Sequence, residues 1–462
     1  MPDTKDVDVI AKAAVRQHQA QSHTDYAKDT SLKSLFMLMP IALVGVGRSG
    51  TTLLMAHLAR DERILFNRTY AFETRLLSFV AKFCQTLPAV PLFRPEMTIR
   101  ANTDWLPEKQ PFCLGTGTSS TDLKFCQTQL LQTLWNSISL SSLENNQNAK
   151  FYAEKTSLWL TQYLQDKLPV TTVFLVRDPK DIFLSQIAFS EKIKSNAFQA
   201  NAGALELAYD VSCIFEEMLM QEHAESSITI KYEDLVTEPQ NALKKLQDVI
   251  GWKPSAAIES EFYDKHRTTK DPSASVERWK SETIPAKDLF LLDCIPTEML
   301  EYFNYAQSNS AHAERLWKID LTEEQNPHFR IDNADLSVES GNSLRILSTS
   351  PATSIVVNRR ERKLDRIAEI WVCVRQTAIS NFALYWRQAD QGFGDDRVIV
   401  AQRENLKQSK ILRFRVGEHP GWSEQFAELF ISGWHQPGVE EQQPSIVRWI
   451  KFIPESEGVN SI

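Results

Sequence analysis

The run Ile41-Ala42-Leu43-Val44-Gly45-Val46-Gly47-Arg48-Ser49-Gly50-Thr51-Thr52-Leu53-Leu54 constrains the fold more than any other stretch of this chain. Ile41–Val46 is too continuously apolar for a strand with one wet face and reads as a strand buried on both faces, the habit of parallel sheets. The glycines permit positive φ and a close backbone approach. Leu53, Leu54 and Leu58 then give a helix its core-facing stripe. A buried strand that enters a helix through such a turn implies a crossover connection and an α/β fold. The turn also aims backbone N–H groups and a helix N-terminus at an anion, usually a phosphate. The alternative is an ordinary strand–turn–helix junction. Glycines, a cation and Thr51-Thr52 meeting at one junction argue against it.

The loop departs from the P-loop of nucleoside triphosphatases at one place. There a lysine precedes the Ser/Thr, whereas Gly50 precedes Thr51 and the cation is Arg48, three residues before Thr51. Without that lysine, triphosphate hydrolysis loses its usual cation. A pyrophosphate-like donor with the cation on its bridging oxygen fits better.

The chain has 462 residues and a formal net charge of −8. That length exceeds one ordinary core and implies two domains. The acidic balance, with no basic arm or stripe, argues against nucleic acid as a partner. Cys84, Cys113, Cys126, Cys213, Cys294 and Cys373 form no C-x-x-C pair and no ligand spacing with His, so they read as free thiols in a reducing compartment. Met1–Thr30 is polar and lacks the apolar stretch of a signal peptide. Leu35–Val46 contains Pro40 and is too short to span a bilayer. A cytoplasmic protein without a transmembrane segment is expected.

Strands are expected at Ile41–Val46, Lys150–Ala153, Thr171–Val176 and Ser227–Lys231. Helices are expected at Thr51–Ala59, Phe72–Phe83, Leu123–Ser137, Asp181–Phe189, Ala202–Glu222 and Pro239–Ile250. Thr86–Ser120 is proline-rich and reads as a lid or a substrate wall. Ser308–Pro327 is polar enough to hold a linker. Short apolar runs follow from Leu344–Ser348 to Ile446–Pro454, several alternating as in Ile411-Leu412-Arg413-Phe414-Arg415-Val416, with turn signals between. They suggest a β-sandwich. The expected division is an α/β domain over residues 1–315 and an all-β sandwich over residues 328–462.

A second motif stands at Thr172-Val173-Phe174-Leu175-Val176-Arg177-Asp178-Pro179-Lys180-Asp181-Ile182-Phe183-Leu184-Ser185. It reads as strand, Arg-Asp-Pro, then helix. Asp178 suits the N-cap, Pro179 the first helical position, and Asp181 completes a capping-box-like pattern. Arg177 and Asp178 could serve this helix start alone.

The two motifs together resemble those of the sulfotransferases that use phosphoadenosine phosphosulfate (PAPS). Gly47-Arg48-Ser49-Gly50-Thr51-Thr52 is similar to their phosphosulfate-binding loop, with Gly in place of the common Pro. Arg177 and Ser185 keep the family spacing of its 3′-phosphate site. The resemblance covers the first two-thirds of the chain and is to bacterial members related to the heparan-type enzymes. It implies a P-loop-like parallel sheet flanked by helices, with PAPS as co-substrate and phosphoadenosine phosphate (PAP) as product. It implies that Gly47, Arg48, Ser49, Gly50, Thr51 and Thr52 hold the phosphosulfate. Arg177 and Ser185 would hold the 3′-phosphate. Tyr232, in Lys231-Tyr232-Glu233-Asp234-Leu235, would lie near the adenine or else be core. Ser275-Val276-Glu277-Arg278-Trp279-Lys280 resembles a bacterial S-x-x-R-W segment that brings Arg278 to the 3′-phosphate. The Arg-Lys-Gly triplet of cytosolic animal members is not present.

Sulfuryl transfer needs a base for the acceptor's proton and cations for the departing phosphate. It requires no metal, and no metal-ligand spacing is visible. Arg48 is the leaving-group cation. Glu73, in Phe72-Glu73-Thr74-Arg75-Leu76-Leu77, resembles the base of heparan-type members, although Leu76-Leu77 replace Phe-Phe; a solvated helical Glu is the alternative. Ala153-Glu154-Lys155-Thr156 resembles a Glu-Lys-[Ser/Thr]-Pro segment with Ser157 for Pro, which places Lys155 at the active centre and gives Glu154 a structural role more often than a catalytic one. Neither His57 nor His266 matches the His base of small-molecule members. The expected function is sulfuryl transfer from PAPS to a hydroxyl or amine acceptor, a small molecule or a glycan. A small-molecule P-loop kinase and a non-catalytic nucleotide-sensing scaffold are the alternatives. In the C-terminal part Trp371, Trp386, Trp422, Trp434 and Trp449 read mostly as core, with room for one exposed ring to stack on a sugar.

Overall fold

The structure is a computed structural model that describes residues 38–66, 72, 75–86, 120–144, 146–194, 203–222, 224–255, 268–269, 271, 273–305, 317–320, 329–339, 343–358, 366–376, 382–388, 396–401, 411–422, 426–434, 442 and 444–454. Glu73, His266, Cys113 and all but the two ends of Thr86–Ser120 lie outside the described residues.

Strands β1 (Met39–Val44), β2 (Ile64–Leu65), β3 (Phe151–Thr156), β4 (Thr171–Val176) and β5 (Ser227–Lys231) form a parallel sheet in the order β2-β3-β1-β4-β5. The order reverses between β1 and β4. In open α/β sheets ligands bind at such a point, outside the carboxyl ends of the strands. The glycine loop leaves β1 there and Arg177-Asp178 leaves β4. Pairing of Ala42 with Glu154 and of Leu43 with Lys155 sets the third motif beside them.

The helices of this part are α1 (Thr51–Leu58), α2 (Leu76–Thr86), α3 (Ser120–Glu144), α4 (Leu158–Gln165), α5 (Pro179–Ile193), α6 (Ala204–Met220), α7 (Tyr232–Thr237), α8 (Pro239–Ile250), α9 (Ala286–Leu292) and α10 (Thr297–Tyr302). Alternation along β1 explains the two covered faces. Ile41 and Leu43 pack with Leu54 of α1 and Leu246 of α8, whereas Val44 packs with Leu207 and Val211 of α6. A sheet buried on both sides needs both helical layers.

The C-terminal part holds β6 (Trp317–Asp320), β7 (Phe329–Asp332), β8 (Ala334–Glu339), β9 (Ser343–Ser348), β10 (Ser354–Asn358), β11 (Ile367–Gln376), β12 (Ala383–Gln388), β13 (Val398–Val400), β14 (Ile411–Phe414), β15 (Phe426–Ser432) and β16 (Ser445–Pro454). They make a five-stranded sheet, β13-β12-β15-β10-β7, and a six-stranded sheet, β14-β11-β16-β9-β8. All pairs in both sheets are antiparallel. Ile355, Leu384, Trp386 and Leu429 from one sheet meet Ile370, Val372, Ile450 and Phe452 from the other in the sandwich core. Strand β6 lies inside the span read from sequence as a linker, and it pairs antiparallel with β16.

The sandwich is joined to the α/β part by core, not by a tether. Trp371, Cys373, Ile411, Trp449 and Ile453 point away from the sandwich interior and share one buried cluster with Leu207, Val211, Ile214 and Phe215 of α6. Strand β16 is therefore buried on both faces from Trp449 to Pro454. Arg448 Nη1 meets Glu216 Oε1 at 2.8 Å, Lys451 Nζ donates to Cys294 O at 2.6 Å, and Tyr209 Oη donates to Ile411 O at 2.9 Å. A buried charge leaves water only when paired; Glu216 is fully buried and Arg448 is its partner.

Candidate active site

The glycine loop owes its shape to two left-handed residues. Gly50 has φ +103° and is the N-cap of α1; a Cβ there would lie 2.3 Å from the Tyr232 ring. Arg48 has φ +76°, a conformation that strains a non-glycine residue by about 1–2 kcal/mol. A Cβ on Gly45 would lie 2.6 Å from Ser49 Oγ. No side-chain cap takes the first N–H groups of α1, and an anion site at a helix start requires that.

The structure brings the loop and the Arg-Asp-Pro motif into contact. Arg48 Nε donates to Ser185 Oγ at 3.4 Å, and its guanidinium lies 4.2 Å from the Phe189 ring. Arg177 donates through Nη1 to Arg48 O at 2.9 Å and through Nη2 to Ser275 O at 2.7 Å. The Arg177 guanidinium stacks 4.2 Å from the Tyr232 ring, and Tyr232 Oη pairs with Ser275 Oγ at 2.7 Å. Tyr232 is therefore both packed and part of the cluster. Gln186 Nε2 donates to Gly47 O at 3.1 Å. On the other side Lys155 Nζ donates to Thr52 Oγ1 at 2.8 Å. Arg48, Ser49, Gly50, Thr52, Lys155, Arg177, Ser185 and Tyr232 are thus one constellation.

Arg278 stands on a short 3₁₀ turn, Arg278–Lys280, tied to the same place. Asp181 Oδ1 accepts Trp279 N–H at 3.1 Å, and Lys180 Nζ lies 4.2 Å from the Trp279 ring. Arg278 also pairs with Glu282. Five buried polar atoms in this neighbourhood have no hydrogen-bond partner: the donors Ser49 Oγ, Arg177 Nε, Arg278 Nη1 and Trp279 Nε1, and the carboxylate oxygen Asp181 Oδ2. Buried donors are rarely left so, and Ser49 Oγ, Arg177 Nε and Arg278 Nη1 suit a phosphate oxygen, whereas Asp181 Oδ2 does not.

The start of α5 is built as expected at its first two positions. Asp178 is the N-cap and accepts Lys180 N–H at 2.9 Å, with Pro179 next. The capping-box expectation for Asp181 is corrected. Its carboxylate serves Trp279, and the N–H of Asp178 donates instead to Glu233 Oε1 at 2.9 Å. Tyr305 Oη holds the other Glu233 oxygen at 3.0 Å. Burial pushes the Asp178 carboxyl up to about 6.

Glu154 is committed elsewhere than to an acceptor. It accepts Leu77 N–H at 2.7 Å, Ser78 N–H at 2.9 Å and Tyr152 O–H at 3.1 Å, and also bonds the Ser78 hydroxyl. It caps α2, the helix that starts just after Glu73. Burial raises its pKa. His57 is buried on α1, and burial first, then the Arg60 charge, holds its imidazole down at about 4. Its position is a core position. Ser275, Gln186, Phe189 and Glu233 complete the site, and none of them is among the site residues expected from sequence. The signal for Gln186 and Phe189 was available, since both lie within about one turn of Ser185 on the same helix.

Among the described residues, no group of three or more His, Cys, Asp or Glu could hold a metal ion, and no helix is long and apolar enough to cross a membrane.

Residues 40–255 match the family described as "Sulfotransferase family". The matched span lies within the α/β part of the chain and holds the glycine loop and the Arg-Asp-Pro motif. A search of the curated proteins finds no match. The sulfotransferase domain of a Synechococcus olefin synthase is similar in structure, at 18% identity over 59% of this chain and 96% of that one, with a TM-score of 0.36. A mouse sulfotransferase complexed with PAP is similar at 14% identity over 62% of this chain and 92% of that one, with a TM-score of 0.30. A xylan-binding module from Roseburia intestinalis is similar at 8% identity over 30% of this chain and 95% of that one, with a TM-score of 0.22. Likenesses this remote carry no weight for donor, acceptor or partner.

Proposed function

We propose that this protein transfers a sulfuryl group from PAPS to a hydroxyl or amine acceptor, a small molecule or a glycan. The observation that carries the reading is the direct bonding of the two phosphate motifs, Arg48 to Ser185 and Arg177 to the Arg48 carbonyl. A donor with phosphate at two places needs such a double site. In this reading Gly47, Arg48, Ser49, Gly50, Thr51 and Thr52 hold the phosphosulfate. Arg177, Ser185 and Arg278 hold the 3′-phosphate, and Tyr232 packs beside them. Arg48 neutralises the departing phosphate, where fixed charge contributes most. Lys155, steadied by Thr52, lies beside the transferring group. Glu73 takes the acceptor's proton, and the commitment of Glu154 to α2 favours that assignment. No metal takes part. The division into a donor-binding part over residues 1–315 and an accessory part over 328–462 belongs to the same proposal, with β6 going to the accessory part by its pairing.

The test is a transfer assay with PAPS and a panel of sugars, phenols and lipids in EDTA, read by the mass gain of one sulfuryl group and by PAP release. Metal-independent transfer that Glu73→Gln abolishes, with PAP affinity kept, supports the reading. Phosphoryl transfer from ATP with Mg²⁺ would replace it with a kinase. Unchanged transfer in Glu73→Gln would move the base elsewhere.

A further inference from the structure

A cleft of about 400 Å³ opens where α6 meets the sandwich, between Glu206, Tyr209 and Asp210 on the helix and β13, β14 and the turn after β14. Its volume falls within the range of small-molecule sites. It uses none of the donor-site residues.

The chemistry of the walls is mixed in a specific way. The strongest cation is already neutralised: Arg413 binds Glu369 through Nε at 2.6 Å and Nη2 at 2.5 Å, and Glu206 through Nη1 at 2.5 Å. Tyr209 is fixed by its bond to Ile411 O, with the Arg413 guanidinium 4.9 Å from its ring. This floor is preorganised and carries little net charge. Around it stand exposed groups and the half-buried His419. Asp210 offers a carboxylate from the helix, and Glu418 offers one from the sandwich. Arg415, which pairs with Glu206 at 3.0 Å, offers a half-exposed guanidinium. His419 accepts Gly421 N–H at its Nδ1, which leaves Nε2–H as its donor in the neutral ring. Val400, 58% exposed, and Pro420 supply apolar wall.

Carboxylates and forked donors side by side suit vicinal hydroxyls, and the apolar wall suits the C–H face of a pyranose ring. Asp210 and Glu418 outweigh Arg415 in charge, so an anionic ligand is disfavoured. We infer that this junction cleft binds a neutral, unsulfated saccharide. Its place in the molecule fits such a role. Gln221, just past α6, pairs with Gln165, which donates to Thr172 at the start of β4. Helix α6 has 17 residues and is about 25 Å long, against about 20 Å for a six-residue strand. It packs along Phe174 and Val176. Its first turns, which line the cleft, therefore reach the strand ends that carry the donor loops. Saccharide binding itself does not depend on the sulfuryl-transfer reading.

Ligand-observed NMR and calorimetry on the full chain test it, with cello-, xylo-, malto- and galacto-oligosaccharides, a heparin oligosaccharide and spermidine as probes. At least one neutral oligosaccharide should bind. The double variant Asp210→Ala/Glu418→Ala should weaken that binding by about tenfold or more, the loss of two net hydrogen bonds, while PAP affinity stays unchanged. Val400→Asp should weaken it independently. Absence of binding by every neutral oligosaccharide at millimolar concentration, affinity indifferent to these variants, or preference for the heparin oligosaccharide or spermidine would each overturn the inference.

Discussion

The donor end of the parallel sheet and the buried face of β16 are both polar sites in an apolar setting, yet they are finished differently. At the donor end Arg48 is left-handed, and Ser49 Oγ, Arg177 Nε and Arg278 Nη1 lack partners. At the joint between the two parts Arg448 has Glu216, Lys451 has the Cys294 carbonyl, and Arg413 has two carboxylates. Strain and unfilled hydrogen-bonding capacity gather at the donor end, as the proposed ligand site requires, whereas the charged groups of the joint are paired and its unfilled group is the neutral Trp449 indole N–H. The joint is therefore an element of stability, and the donor end is a place where stability has been given up.

Breaking the joint should produce the largest effect. Trp449→Ala removes a buried side chain shared between the sandwich and α6 and should cost about 3–5 kcal/mol. Denaturant unfolding should remain one transition that also takes away PAP binding. Two separated transitions would mean that the parts are independent. At the donor end Arg48→Ala should lower turnover by about 10²–10³-fold and leave the unfolding midpoint within a degree or two of its usual value, because alanine keeps the left-handed backbone and only the part-buried contacts to Ser185 and Phe189 are lost. A midpoint that falls with the rate would make Arg48 a structural residue.

His57 gives a smaller effect with a definite sign. Its folded value lies near 4 against 6.5 in the unfolded chain. Between these values the unfolded state binds the extra proton. The contribution is complete above pH 6.5 and is lost as pH falls toward 4, at most about 3 kcal/mol. Stability curves of the natural chain and His57→Leu should converge over that window, the variant losing less. Parallel curves would contradict the assignment. Glu154→Gln removes a charged cap from α2 and should cost about 1–2 kcal/mol, with kcat reduced more than KM if α2 positions Glu73. A variant that keeps full stability but loses all transfer would return the base role to Glu154.

What the sequence made legible was local. Asp178 and Pro179 announce the start of α5 because both act within one turn. The bond from Asp178 N–H to Glu233 joins residues 55 positions apart, and no pattern near Asp178 hints at it. Asp181 satisfies the spacing of a capping box, but the nearby Trp279 N–H claims it. Strands β6, β7 and β8 escaped notice because they are short or half-polar and owe their pairing to distant β16, β10 and β9. The joint did leave a signal. Trp449-Ile450-Lys451-Phe452-Ile453 is too continuous for a strand with one wet face, the same reasoning that identified Ile41–Val46.

Calorimetry with PAP in EDTA, set against ATP with Mg²⁺, tests the central claim that the two bonded motifs form one site for a donor carrying a 3′-phosphate. Tight metal-free PAP binding, weakened in both Arg48→Ala and Arg177→Ala, is the predicted result. Tighter binding of ATP with Mg²⁺ than of PAP would contradict it.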